Sequence, residues 1–241
     1  MSTALKRALR VVLALPAIDL LNKWRKVMEP LEVDFFFSFR SPWSYLAVPR
    51  LLELQTDYTA KVNLRVVNPL YIRFNAFFDK APEKWLHYFR IDLIRHLEYL
   101  GMPLGPPRPD PINDQLPADS PDHLVLQLNP LGIAAEALGK GVEFAREISA
   151  MVWDGTVDGW NTGDHIEKAT ERAGLTLSAI KQWVSDNAEQ WPAQLAANNV
   201  ALHEHHWGVP TMVFNNEPFF GQDRIELLRW RLEKNGLQRR T

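Results

Sequence analysis

The sequence predicts an α/β domain whose two halves are separated by a long helical insertion. Three observations carry that expectation. The chain opens strand-helix-strand between residues 33 and 68, closes strand-strand-helix from residue 209 onward, and keeps mostly helical spacing over 82–206. A strand-helix-strand opening favours a parallel pair joined by a right-handed crossover.

Residues 1–30 place Lys6, Arg7 and Arg10 ahead of a short apolar run, Val11 to Ala17, in the manner of a signal peptide. Pro16 and Asp19 break the run, which is far below the ~20 apolar residues that span a bilayer. Leu9, Val12, Leu13, Leu20, Leu21 and Trp24 can share helical faces with basic residues opposite. The segment is expected to be a helical extension packed on the fold; a membrane-surface helix and a cleaved signal are the alternatives.

Val33 to Phe39 is a dense β-branched and aromatic run, read as a buried strand. Ser41-Pro42 then signals a helix start, with Ser41 as N-cap and Pro42 in the first turn. Tyr45, Leu46, Val48, Leu51, Leu52 and Leu54 follow at helical spacing, and Ala60 to Asn68 alternates as a second strand ending at Pro69.

Lys84 to Leu100 carries Trp85, Tyr88, Phe89, Leu93, Leu97 and Leu100 along one broad face. Residues 103–122 hold seven of the 17 prolines, which excludes a regular element and points to an ordered loop or lid over the surface. Helices are expected to resume near Asn129-Pro130 and to run over Glu143–Trp153, Gly163–Ala173, Leu177–Asn187 and Pro192–His205. Asp164, Thr176 and Asn187 stand at the joints as caps. Val209 to Phe214 and Glu217 to Phe220 flank a turn at Asn215-Asn216, and an amphipathic helix containing Ile225, Leu228 and Leu232 ends the chain. Without 82–206, the remaining 31–81 and 207–241 have the element order of a thioredoxin fold. They are read as a thioredoxin-like domain, 82–206 as an inserted helical domain, and 1–30 as the N-terminal extension.

Composition narrows the function. With 27 Lys+Arg against 29 Asp+Glu and a net charge of −2, nothing favours nucleic acid as the main partner. The chain has no cysteine, so disulfides, cysteine nucleophiles and thiolate-ligated metals are excluded. His203, His205 and His206 lack a carboxylate at metal-ligand spacing, and no nucleophile-elbow pattern surrounds Ser41, so neither a metal site nor a hydrolase triad is expected.

Phe39-Arg40-Ser41-Pro42-Trp43-Ser44-Tyr45-Leu46, then Gly208-Val209-Pro210-Thr211, then Gly221-Gln222-Asp223-Arg224, resemble in that order the 2-hydroxychromene-2-carboxylate isomerase family. These are kappa-class glutathione-transferase-like proteins on a DsbA-type thioredoxin fold. The stretch from Trp153 to Gly174 follows the same pattern, and the resemblance covers roughly residues 32–236. Thioredoxin-type oxidoreductases open their first helix with Cys-Pro-x-Cys; here both cysteine positions are serines, Ser41 and Ser44, so dithiol redox chemistry is excluded. A serine hydroxyl at a helix N-terminus can still donate to an external thiolate, where the helix end stabilises negative charge by roughly 0.3–1 kcal/mol. The resemblance implies that the thiolate is glutathione's and that Ser41 holds its sulfur; as bare local chemistry, Ser41 is simply an N-cap.

The resemblance further implies a cis Val209-Pro210 bond, with the Val209 backbone meeting the cysteinyl part of glutathione; a trans proline opening an edge strand is the alternative. At Gly221-Gln222-Asp223, N–H groups would take the γ-glutamyl carboxylate and Asp223 its ammonium, with Gln222 fitting the family pattern. A plain helix start with a first-turn acid reads the same way locally. For the glycyl end, the family's Asn and Lys fall on Asn75 and Lys84, although its glycines are replaced here by aromatic bulk. Trp43, Phe74, Phe77 and Phe78 line an apolar pocket or serve as core. Trp160 and Asn161 are assigned no role.

The implied activity is glutathione-dependent cis-trans isomerisation of 2-hydroxychromene-2-carboxylate type, by reversible thiolate addition, within aromatic degradation. A kappa-like glutathione transferase and a non-catalytic thioredoxin-fold binding protein are the alternatives. The expected partners are glutathione as cofactor and a small aromatic or electrophilic substrate, without nucleic acid or membrane. A homodimer is compatible with the family, and a cytoplasmic location is expected.

Overall fold

The computed structural model describes residues 30–74 and 81–240. The expected N-terminal helix and Asn75, Phe77 and Phe78 therefore lie outside the described residues.

Strand β1 (Leu31–Phe37) pairs in parallel with β2 (Ala60–Val66), Leu31 opposite Ala60 and Phe37 opposite Val66. The crossover is helix α1 (Pro42–Asp57). Strand β3 (Thr211–Phe214) runs antiparallel to β1, and β4 (Glu217–Phe220) antiparallel to β3, giving the order β2-β1-β3-β4. The β3-β4 hairpin turns at Asn215 and Asn216, both at positive φ (50° and 65°), as a two-residue hairpin with the favoured twist requires.

Between β2 and β3 lie a single helical turn α2 (Leu70–Arg73), then α3 (Glu83–Leu100), α4 (Val125–Ala137), α5 (Gly141–Trp153), α6 (His165–Arg172), α7 (Leu177–Asp186) and α8 (Gln190–His205). A short 3-10 turn, Gln222–Arg224, leads into α9 (Ile225–Glu233). No helix among the described residues is long and apolar enough to cross a membrane.

Several boundaries shift by a few residues from the sequence reading, among them the end of β2 at Val66 and the start of β3 at Thr211, and two shifts have a visible cause. The first strand ends at Phe37, not Phe39, because Ser41 N–H donates to Ser38 O at 3.0 Å and closes a turn. Phe39 is apolar for a different reason: it is fully buried in that turn, its ring edge-on to Phe37 (4.9 Å) and to Phe144 of α5 (6.2 Å). Such pairs add about 0.5–1.5 kcal/mol each beyond burial. Helix α4 starts at Val125, whose N–H donates to Pro111 O, so Asn129-Pro130 falls inside the helix. The caps divide: Thr176 Oγ1 accepts from Ala179 N–H at 3.2 Å, and Asn187 Nδ2 donates to Trp183 O at 2.8 Å. Asp164 occupies the N-cap position of α6 but pairs with Lys168 instead of the backbone.

The principal core joins the sheet face bearing Val33, Phe35 and Phe37 to α1, α4 and α5. Phe36 and Val213 point to the other face, where Leu202 of α8 covers them. Strand β2 is an edge, and side chains cap its outward backbone groups. Gln55 Oε1 accepts from Val62 N–H, Glu136 accepts from Leu64 N–H, and Asn198 Nδ2 donates to Val66 O. That capping keeps the edge from pairing with another chain.

Candidate functional site

The sheet topology gathers three separated motifs at one end. β1 runs toward Ser41, and the pairing of Phe36 with Thr211 sets Pro210 beside the end of β1. The pairing of Thr211 with Phe220 brings Gly221 back to the same end, where its N–H donates to Pro210 O at 2.9 Å. The start of α1, Val209-Pro210 and the Gly221–Asp223 turn therefore surround the carboxyl end of β1.

Ser41 is the N-cap of α1 in extended backbone (φ −97°, ψ 115°), half-buried, with Pro42 next in the helix. Its Oγ accepts from Ser44 N–H at 3.1 Å. That bond uses a lone pair and leaves the hydroxyl proton uncommitted among the described residues. Ser44 is fully buried, and its Oγ has no partner among the described residues. The geometry thus keeps one hydroxyl donor at the positive end of a 16-residue helix.

The Val209-Pro210 peptide is cis. Val209 is half-buried and Pro210 buried. The preceding loop is held by an aromatic stack: His206 lies on Phe220 with centroids 3.7 Å apart, and its Nδ1 accepts from Gly208 N–H at 3.0 Å. Burial pushes the His206 pKa down, which favours the unprotonated nitrogen that this bond needs. A side chain on Gly208 would meet the Phe220 ring at 2.7 Å, so the close approach requires glycine. The rings of His203 and His205 go elsewhere, against Phe74 and Phe36.

At the third motif, Gly221 has φ 103°, where a side chain would also collide with Asp223 Oδ1. Asp223 is exposed and pairs with Arg224 at 2.9 Å. Gln222 is 2% exposed, and both its carbonyl O and its Oε1 accept from Arg50 Nη2 of α1. Its side-chain oxygen is thus an internal tie to α1. Lys84 is exposed in the first turn of α3 and makes no contact with the other candidates among the described residues.

The chain neighbours of Ser41 make aromatic and ionic contacts. Trp43 is edge-on to Phe89 and to His96 of α3, both at 5.5 Å, and Phe89 touches Trp85. Phe74 lies instead against His203, beneath the Arg73 guanidinium. Arg40 pairs with Asp110 of the proline-rich loop and lies 5.5 Å over Trp153, whose Nε1 donates to Phe39 O at 3.0 Å. Tyr45 O–H donates to Pro103 O at 2.9 Å; desolvation, then Asp154, push its pKa up to about 12, which keeps the phenol protonated.

A profile of the DSBA-like thioredoxin domain matches residues 32–233. The chain belongs to that family. Within it, the chain is 27% identical over 207 residues to a 2-hydroxychromene-2-carboxylate isomerase of Pseudomonas putida, covering 81% of this chain and 91% of the relative. A solved 2-hydroxychromene-2-carboxylate isomerase superposes with a TM-score of 0.63 at 26% identity, over 85% of this chain and 95% of that one. The fold is also that of a cytosolic disulfide reductase, DsbM from Pseudomonas aeruginosa with GSH, at TM-score 0.55 and 16% identity, covering 84% and 100% of the two chains.

In this DSBA-like domain the contacts that support the start of α1 escape sequence reasoning. Nothing in the sequence singles out Arg50, Asp110 or the Trp153 tie, and Arg40 is marked only by its place in the motif. The adjacency of Arg40 to Ser41 was a usable signal. Asp110 sits in a loop with no periodicity, and Arg50 meets a partner 172 positions away. Trp160, left without a role, is fully buried and donates to Pro109 O at 2.7 Å, so it holds the proline-rich loop.

Proposed function

We propose that this chain is a glutathione-dependent isomerase of 2-hydroxychromene-2-carboxylate type. The observation that carries the reading is the unspent hydroxyl of Ser41 at the start of α1, set at the same sheet end as cis Val209-Pro210 and the Gly221–Asp223 turn. The similarity to isomerases at 26–27% identity over more than four-fifths of the chain supports the same reaction.

The residues present fit glutathione. Ser41 O–H would donate to the sulfur, the Val209 backbone would pair with the cysteinyl unit, and the N–H groups after Gly221 with Asp223 would take the γ-glutamyl charges. Asn75 and Lys84 are proposed for the glycyl carboxylate; the exposed Lys84 ammonium has no competing partner among the described residues. Bound glutathione would supply a thiolate that adds reversibly to the conjugated, ring-opened substrate, allowing rotation about the former double bond before it leaves. Ser41 and the α1 N-terminus stabilise the negative sulfur before addition and after departure. Trp43 and Phe89 offer an aromatic wall to orient the ring and exclude water.

Calorimetric titration with reduced glutathione tests the reading. Saturable binding that weakens roughly tenfold in Asp223→Ala is expected, the loss of one charge-assisted contact. No heat at millimolar glutathione would sink it.

A further inference from the structure

Arg50 is the only Lys or Arg in α1, nine residues beyond Ser41 and about 13 Å along the helix axis. It does not point to solvent as a helical arginine ordinarily would. Its Nη2 donates to Gln222 O at 2.7 Å and to Gln222 Oε1 as well, both on a residue that is 2% exposed. Desolvation lowers its pKa, opposed by the nearby carboxylates of Glu226 and Asp223. An arginine in such surroundings remains cationic. Its Nε has no partner among the described residues, and both contacts made through Nη2 go to Gln222.

The consequence follows from peptide planarity. The C=O of Gln222 and the N–H of Asp223 belong to one planar trans unit and point in opposite directions. Gln222 O, held inward by Arg50 and by the 3-10 turn it opens, leaves Asp223 N–H turned outward. The adjoining unit behaves likewise: Gly221 O accepts from Arg224 N–H at 3.1 Å, which orients Gln222 N–H away from that bond. Both N–H groups open a helical turn and have no preceding turn to bond.

We propose that Arg50 is a positioning residue for the γ-glutamyl end of glutathione, acting through Gln222 without touching the ligand. This rests on the glutathione reading above. It would also tie the γ-glutamyl turn to the same helix whose N-terminus carries Ser41, so the γ-glutamyl and sulfur contacts share one rigid support.

The test titrates wild type, Arg50→Met and Arg50→Lys with reduced glutathione and with cysteinylglycine, which keeps the thiol but lacks the γ-glutamyl group. Arg50→Met keeps the buried stem and removes the donors. Its Kd for glutathione is expected to rise about ten- to a hundredfold, as for hydrogen bonds to charged groups, with cysteinylglycine unchanged and Arg50→Lys intermediate. Equal glutathione binding by wild type and Arg50→Met overturns the positioning role alone. Equal weakening toward both thiols also overturns it, because a general loss of structure would do that. Absence of glutathione binding in wild type overturns the cofactor reading and this inference with it. Should Arg50→Met fail to fold, Arg50→Lys against wild type carries the same selectivity comparison.

Discussion

Replacing Ser41 with alanine removes the acceptor for Ser44 N–H at 3.1 Å and the donor proposed for the thiolate. Losing the cap costs about 0.5–2 kcal/mol. At about 2–4 °C per kcal/mol for a chain of this size, Tm should fall by about 1–8 °C. A hydrogen bond to a charged group is worth about 1.5–3 kcal/mol, and one pKa unit is about 1.4 kcal/mol. The thiol of bound glutathione, followed by ultraviolet thiolate absorbance against pH, should therefore rise about one to two units in pKa, with turnover down about ten- to a hundredfold. Ser41→Asp separates the two roles. Aspartate caps as well as serine, so Tm should recover, but a carboxylate beside the sulfur raises the thiol pKa further. If the thiol in Ser41→Asp titrates as in wild type, Ser41 is only a cap and the thiolate role is refuted.

Two further expectations concern the support of the site. Trp153→Phe keeps an aromatic ring beneath Arg40 but strands the buried Phe39 carbonyl, now bonded at 3.0 Å, so urea unfolding should report a loss of about 1–3 kcal/mol; an unchanged midpoint would contradict the tie. Glu136 is held above the usual carboxylate range, by burial first, against the opposing Leu64 N–H bond. A folded pKa raised above the unfolded one gives a contribution that is full below pH 4.5 and lost as pH rises through the folded value. Glu136→Gln can still accept from Leu64 and lacks that loss, so its Tm should exceed wild type at neutral pH and converge with it in acid. A constant difference across pH would show that Glu136 does not titrate between the two states.

What the sequence made legible was local. Ser41 and Pro42 announce the α1 start because capping and a fixed proline φ act within one turn, and Asn215-Asn216 announces its hairpin for the same reason. The element order followed from periodicity, and the three motifs at one sheet end followed from the family resemblance. The Arg50–Gln222 and Trp153–Phe39 ties were illegible because they join residues 172 and 114 positions apart whose types carry no pairing signal. Phe39 misled because burial in a turn and burial in a strand select the same side chain. Gln222 shows the limit most clearly: the family pattern marked the position, while only the packing shows its side chain turned to Arg50.

The central claim is that glutathione acts here as a returning catalyst. The direct measurement supplies a 2-hydroxychromene-2-carboxylate substrate in large excess over glutathione and follows product together with free thiol. The account predicts many turnovers per glutathione with the free thiol undiminished at the end. Turnover that stops after one equivalent, with glutathione consumed into a conjugate, would contradict it and mark the chain as a transferase.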